Sequence, residues 1–372
     1  METIGGFTDM LLRATNRRHW ITTIPVLFAC PGLLWQFADA QCAAGDQPAA
    51  GQSPPAAARV ASLLPTVVDQ PIPVVTALAI DPTGQWLAVA GDDKAIRILE
   101  ASNLKEIAVL RGHGDLIRTV AFRHDGKVLA SGGNDGSLIL WEQATGYRQL
   151  SRIDDLPAVC RVTFSPQRNE IAAVGFGTEI MMFGGAADLA EMRCDCNDLR
   201  VCAYDQQGQR LAVAGRSGHV HLFDPRTGAA IRDFNLHNGR IRDCVFTRND
   251  TRLLTVGEDG AVVLLDLVRG EVVQRIDLLP CKLFTLAMID DTHVAVAGSD
   301  NRIRIVDLDS GTVVKHLDGH RGSVSTLAYT SGALFSGGFD ATLRRWPVES
   351  SGGERLAEKE TPVLPPSESS SR

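Results

Sequence analysis

Short apolar segments recur along this chain at a steady spacing, each set off by turn residues. Between Pro73 and Glu349 they read as strands of four to six residues dominated by Val, Ile, Leu and Ala. Val120-Ala121-Phe122, Val162-Thr163-Phe164 and Val245-Phe246 open successive units. Second strands run from Trp86 to Ala90, Val128 to Ser131, Arg210 to Ala214 and His293 to Ala297. Third strands such as Ile96-Arg97-Ile98-Leu99 and Ile303-Arg304-Ile305-Val306 follow, and fourth strands such as Ala229 to Phe234 lead to the next unit. Asp125-Gly126, Gln207-Gly208, Thr145-Gly146, Thr227-Gly228 and Ser310-Gly311 supply the turn conformations between them. Near-continuous apolarity predicts sheets packed on both faces.

The spacing is a repeat. The apolar residue ending each third strand falls at Leu99, Trp141, Phe183, Phe223, Leu265, Val306 and Trp346, in steps of 42, 42, 40, 42, 41 and 40. A glycine stands eight residues earlier each time, at Gly91, Gly133, Gly175, Gly215, Gly257, Gly298 and Gly338. One such four-stranded unit cannot bury its own faces, so neighbours must stack on it. Seven of them close a ring and remove the open sheet edge. The seventh unit ends after Trp346 with three strands. The strand-like segment Leu64 to Asp69 sits where a fourth strand would precede the first unit. The expected fold is all-β: a seven-bladed β-propeller of four-stranded antiparallel blades, closed by an N-terminal strand completing the last blade.

The units also carry recognisable residues. The second reads Gly112-His113, Val120-Ala121-Phe122, Ser131-Gly132-Gly133, Asn134-Asp135-Gly136 and Leu138-Ile139-Leu140-Trp141; the seventh repeats Gly319-His320, Ser336-Gly337-Gly338, Asp340 and Trp346. Over about three quarters of its length the chain resembles WD40-repeat proteins. That resemblance implies that His113, Ser131, Asp135 and Trp141 form a structural hydrogen-bond network. His320, Ser336, Asp340 and Trp346 repeat it, and His237, Thr255 and Asp259 make a partial copy. Three copies at blade spacing argue against a catalytic triad. The third and fourth units replace the turn Asp by Gly177 and Ser217, so those two blades are expected to be the least regular.

The ends differ from the repeats. Arg13, Arg17, Arg18 and His19 precede an apolar run from Trp20 to Phe37 and the small-residue site Ala38-Asp39-Ala40. That order predicts a signal peptide over residues 1–40, and a secreted or periplasmic protein. A membrane anchor through residues 20–37 and lipid attachment at Cys30 are the other readings. Residues 41–62 read as an Ala/Pro/Gly-rich flexible spacer, 63–349 as the propeller and 350–372 as a disordered tail. The formal charge of −7 argues against nucleic acid as a partner, and no membrane insertion of the mature form is expected.

Chemistry is sparse. Eight cysteines at irregular spacing form no disulfide framework. Cys194-Asp195-Cys196 is the unusual pair, with His219 and His221 one strand away. Zinc sites favour four ligands, and no second pair is evident, so neither metal nor cofactor is expected. No Gly-x-Gly-x-x-Gly, Walker-type or Gly-x-Ser-x-Gly sequence is present. The expected function is a non-enzymatic scaffold presenting a rigid platform to protein partners. An envelope assembly factor and a propeller enzyme with its site at the central channel are the alternatives. The WD40 resemblance places one rim of the ring at Asp92, Arg118, Asn134, Asp198, Arg200, Arg216, Arg240, Arg242, Glu258, Lys282 and Phe284. Six cationic positions against three acidic ones suggest an acidic segment as the partner, with Phe284 and Phe339 as apolar anchors.

Overall fold

A computed structural model of the chain describes residues 59–62, 72–184, 192–194, 196, 198–330 and 332–348. The expected leader, nearly all of the spacer, the segment Leu64 to Asp69 and the tail lie outside these residues. Within them are seven four-stranded antiparallel sheets. Six take their strands in chain order, and the seventh pairs Arg59–Ser62 with Thr342–Pro347. The protein is a seven-bladed β-propeller. None of the described residues forms a helix long and apolar enough to cross a membrane.

The closing strand is N-terminal, as expected, but it lies at Arg59–Ser62, within the segment read as spacer. Its register runs from Arg59 opposite Arg345 to Ser62 opposite Thr342. The expectation carried over the short link between ordinary blades, such as Ile153 to Val159. At the seam the link is longer, from Ser62 to Val75.

Burial follows position in the blade. Second strands are sealed on both faces: every residue of Val128–Gly133 and Ala333–Gly338 is buried. Fourth strands form the outer wall and are largely exposed, as in Ala230–Asn235. The core lies between blades. Val128, Leu138, Leu140 and Ile153 of blade two pack on Val162, Phe164, Ile171 and Phe183 of blade three. The recurring glycine has a steric cause. A Cβ on Gly175 would lie 2.1 Å from the Ala158 carbonyl oxygen, and one on Gly298 would lie 1.8 Å from that of Lys282. Each glycine lets the second strand run hard against the entry of the first.

Every first strand carries a bulge at its second residue: the register slips between Val75 and Ala77, Ile117 and Thr119, Val159 and Arg161, Leu199 and Val201, Ile241 and Asp243, Leu283 and Thr285, and Val324 and Thr326. A bulge re-aims the side chain of its extra residue. Sevenfold repetition turns this into a ring of re-aimed side chains: Thr76, Arg118, Cys160, Arg200, Arg242, Phe284 and Ser325.

Blade three is irregular among the described residues, as its missing Asp suggests, with Met192–Arg193 as the described part of its outer strand. Blade four departs from expectation. Its four strands are full, from Leu199–Tyr204 to Ala230–Asn235.

Candidate functional site

The three polar networks are laid out alike. In blade two, Asp135 Oδ2 lies 3.0 Å from His113 Nδ1, and His113 Nε2 lies 2.8 Å from Ser131 Oγ. Ser131 Oγ also accepts the Trp141 indole N–H at 2.9 Å. Asp135 further accepts the backbone N–H groups of Gly114 and Ser137, pinning the interblade loop to the turn between second and third strands. Blade seven repeats the set through Asp340, His320, Ser336 and Trp346 at 2.9, 2.7 and 2.8 Å. In blade five, Asp259, His237 and Thr255 meet at 2.8 Å and 2.8 Å, and Arg275 joins Asp259. Blades one and six have no histidine at this place; there Asp93 and Asp300 pair with Arg97 and Arg304.

Electrostatics define the proton positions. Burial pulls His113 and His320 below the usual imidazole range, against the pull of Asp135 and Asp340. Burial would raise Asp135, Asp259 and Asp340, but their N–H and imidazole partners hold all three below the usual carboxylate range. A neutral imidazole that donates from Nδ1 to the carboxylate and accepts at Nε2 from the hydroxyl satisfies both directions. The consequence for stability has a definite sign. Unfolded histidines take up protons near pH 6.5 and unfolded aspartates near pH 4, each before the folded ones do. Stability is therefore full at neutral pH, declines below about pH 6.5, and declines again below about pH 4. Asp135→Ala is expected to cost about 1–3 kcal/mol at pH 7, because it strands His113 and two backbone donors. It should also remove the Asp135 share of the decline below about pH 4, so that its cost shrinks between pH 7 and pH 3 in denaturant titrations.

The other concentration of polar groups is a funnel of about 1210 Å³ at one mouth of the ring. All seven bulged residues line it, together with Asp92, Arg240, Glu258, Lys282 and Phe339. Arg118, Arg200, Arg240, Arg242, Lys282, Phe284 and Phe339 thus come together from blades two, four, five, six and seven. Arg216 does not: it is exposed and is not among the lining residues. Asn134 accepts the Arg118 Nε–H behind the funnel wall.

The acidic groups sit among the cations. Asp198 lies 2.6 Å from Arg200 and 2.7 Å from Arg240. Glu258 lies 2.9 Å from Arg240, 3.6 Å from Arg242 and 3.8 Å from Lys282. Burial, with Arg200, Arg240 and Arg118 nearby, pulls Arg242 below its ordinary range against the opposite effect of Glu258. Crowded cations of this kind favour an incoming anion. Phe176, which the sequence pattern does not single out, braces them: the guanidinium carbons of Arg118 and Arg200 stand 5.2 and 4.3 Å from its ring centre. It follows Gly175 as Asn134 follows Gly133, so the glycine step would have located it. The missing turn Asp of blade three hid it. Arg242 stacks on Phe284 in the same way, at 5.2 Å. Cys160 is the mouth's one thiol among the bulged residues, and burial pushes its pKa up, so it stays protonated.

Below the mouth the channel is cross-tied. Thr119 accepts the Val162 N–H, Asp243 the Leu286 N–H, and Thr285 the Leu327 N–H, each from the first strand of one blade to that of the next. Arg161 of blade three reaches Asp243 of blade five at 3.0 Å. Ser325 donates to the Val75 carbonyl at 2.6 Å, joining blade seven to blade one. Elsewhere, Cys194, Cys196 and His221 form a group of three metal-ligating side chains among the described residues.

Comparison with known proteins agrees with this architecture. The family model for the WD domain, G-beta repeat, matches residues 69–99, 104–142 and 311–347. The chain is 25% identical over 209 residues to eukaryotic translation initiation factor 3 subunit I of Aspergillus terreus, covering 51% of this chain and 62% of that protein. It is 26% identical over 181 residues to mouse cilia- and flagella-associated protein 57, covering 48% of this chain and 14% of that protein. With the periodic tryptophan protein 2 homolog of Dictyostelium discoideum it shares 23% identity over 223 residues, which cover 56% of this chain and 24% of that protein. The chain thus spans less than two thirds of each of these relatives. They overturn the expectation of a secreted or periplasmic destination. Proteins named for translation initiation and for cilia and flagella are not exported ones. An apolar run followed by small residues is a compositional cue, and repeat homology outweighs it. The protein is thus a seven-bladed β-propeller that carries WD40 repeats at three matched positions and the recurring His–Ser/Thr–Asp network of three of its blades.

Proposed function

We propose that the protein is a non-enzymatic interaction scaffold whose funnel mouth receives an acidic segment of a protein partner. The observation that carries this reading is the ring of bulged residues, which aims Arg118, Arg200 and Arg242 into one concave mouth beside Phe284. Guanidinium groups pair with carboxylates in bidentate geometry. Phe339, 56% exposed at the rim, offers an apolar anchor of the kind that concentrates binding energy. Two relatives are named for different processes, and one of them is named as a subunit of a larger factor, which supports a role in assembly. Catalysis has little support, since the histidines bonded to Ser or Thr are buried inside blades.

Charge reversal at Arg200 and Arg240 would set new carboxylates against Asp198 and Glu258, and would confuse binding with folding. Arg118 and Phe339 avoid that. A display library of short peptides selected on the full chain should yield sequences rich in Asp and Glu with an apolar residue, and their binding should weaken as salt rises. Arg118→Ala with Phe339→Ala is expected to weaken those peptides at least tenfold while the melting temperature stays unchanged. Selection of neutral or basic peptides, or equal binding by the double variant, would place the partner surface elsewhere.

A further inference from the structure

Blades three and four lack the Asp-centred contacts that tie the other five, yet all four strands of blade four are full. Its first strand begins at Leu199, and the place four residues earlier, which holds His113, His237 or His320 in blades two, five and seven, falls between Cys194 and Cys196. Its turn Asp is Ser217. His221 stands on the third strand where Arg97 and Arg304 stand in blades one and six, two residues before the terminal apolar position. The fold brings these substitutes together. His221 Nε2 lies 3.2 Å from Cys196 Sγ, and Cys194 Sγ accepts the Cys196 backbone N–H at 3.4 Å. The two sulfurs and a His221 nitrogen all lie within 4.8 Å of one another, and both cysteines are buried. On the far side of the ring, His221 Nδ1 lies 2.8 Å from Asp233 Oδ1, while Asp233 Oδ2 lies 3.1 Å from His219 Nδ1.

We propose that Cys194, Cys196 and His221 bind a zinc ion that takes the place of the missing hydrogen-bond network and clamps the entry of blade four to its third strand. The donor set is two soft sulfurs and one imidazole, which is zinc chemistry. Bond lengths of about 2.3 Å to sulfur and about 2.0 Å to nitrogen put tetrahedral ligands roughly 3.5 Å apart, close to the observed spacing of Cys196 and His221. Asp233 supplies the independent pointer. A carboxylate that holds the Nδ1 proton of a histidine leaves the Nε2 lone pair directed at the metal position, as outer partners of metal-bound histidines do. Binding deprotonates both thiols and releases their protons to solvent, leaving two thiolates and a neutral imidazole around the cation. The fourth position is open to water. The ion would sit just beyond Met192–Arg193 of blade three. The sequence brings these residues to notice, but counting four protein ligands as necessary dismisses a three-ligand set.

Full-length protein incubated with zinc and then desalted should retain one zinc per chain by elemental analysis, and chelation should lower its melting temperature. With cobalt(II) in place of zinc it should show thiolate charge-transfer absorption and tetrahedral visible bands. Cys194→Ser with Cys196→Ser, and separately His221→Gln, should lose the ion and the bands and melt at a temperature indifferent to chelator. Asp233→Asn should keep the bands but weaken zinc affinity by about 10–100-fold. Cys160→Ser and a variant lacking both Cys30 and Cys42 should behave as the parent. No metal retained by the parent, or bands surviving in either ligand variant, would overturn the proposal.

Discussion

Asp243→Ala is expected to produce the largest loss of stability of any single substitution in the channel. Asp243 is 5% exposed and holds together four groups from three blades. It pairs with Arg161 at 3.0 Å, accepts the Leu286 N–H at 3.2 Å, and receives its own neighbour's N–H from Cys244 and the Thr285 hydroxyl. Removing the carboxylate leaves a guanidinium and two backbone donors without their acceptor. Breaking a buried pair from one side costs about 3–5 kcal/mol. Arg161 reaches solvent along part of its length, which puts the expectation in the lower half of that range. Chemical denaturation of the parent and the variant measures it. Asp243→Asn should recover part of the loss, because the amide oxygen still accepts the Leu286 N–H. A loss below 1 kcal/mol would mean that the channel is held by its apolar neighbours alone.

Removal of the closing strand should have the next largest effect. A chain beginning at residue 59 is compared with one beginning at residue 63. The second lacks the four residue pairs that Arg59–Ser62 makes with Thr342–Pro347, and the Arg59 bond to the Ser102 carbonyl that reaches blade one. At a net 0.5–1.5 kcal/mol per backbone bond, the loss is about 2–5 kcal/mol. It also bares the edge of blade seven, which invites strand pairing between molecules. The expected result is a lower melting point with concentration-dependent association. A chain ending at residue 348 should match the parent on both counts. Equal melting of the chains starting at 59 and 63 would refute closure by this strand.

Some of this protein was legible without coordinates. The step of 40 to 42 residues from Leu99 to Trp346, with its glycine eight places before, requires stacked units, because no single unit buries both faces of its sheet. Seven such units have one compact way to avoid a bare edge. The polar sets of blades two, five and seven were legible for the same reason, since their members recur at one spacing. The position of the closing strand was not. Its link to the first blade obeys no repeat, and four residues with a single intermediate position carry little apolar signal.

What tertiary structure decided is which side chains meet across blades. The bulge in every first strand leaves no mark in composition, yet it gathers Arg118, Arg200, Arg242 and Phe284 at one mouth, and it leaves Arg216 outside. Phe176 packs against two arginines of that mouth although its blade had lost the turn Asp by which the sequence could be aligned. Arg161 and Asp243 lie two blades apart, and Cys196, in the loop before Leu199, meets His221 of a third strand, whose imidazole is turned by Asp233. Local pattern sets strand, turn and burial, because those depend on neighbours within a blade. Closing the ring sets the contacts between distant residues, and those contacts form both the funnel and the cysteine–histidine cluster.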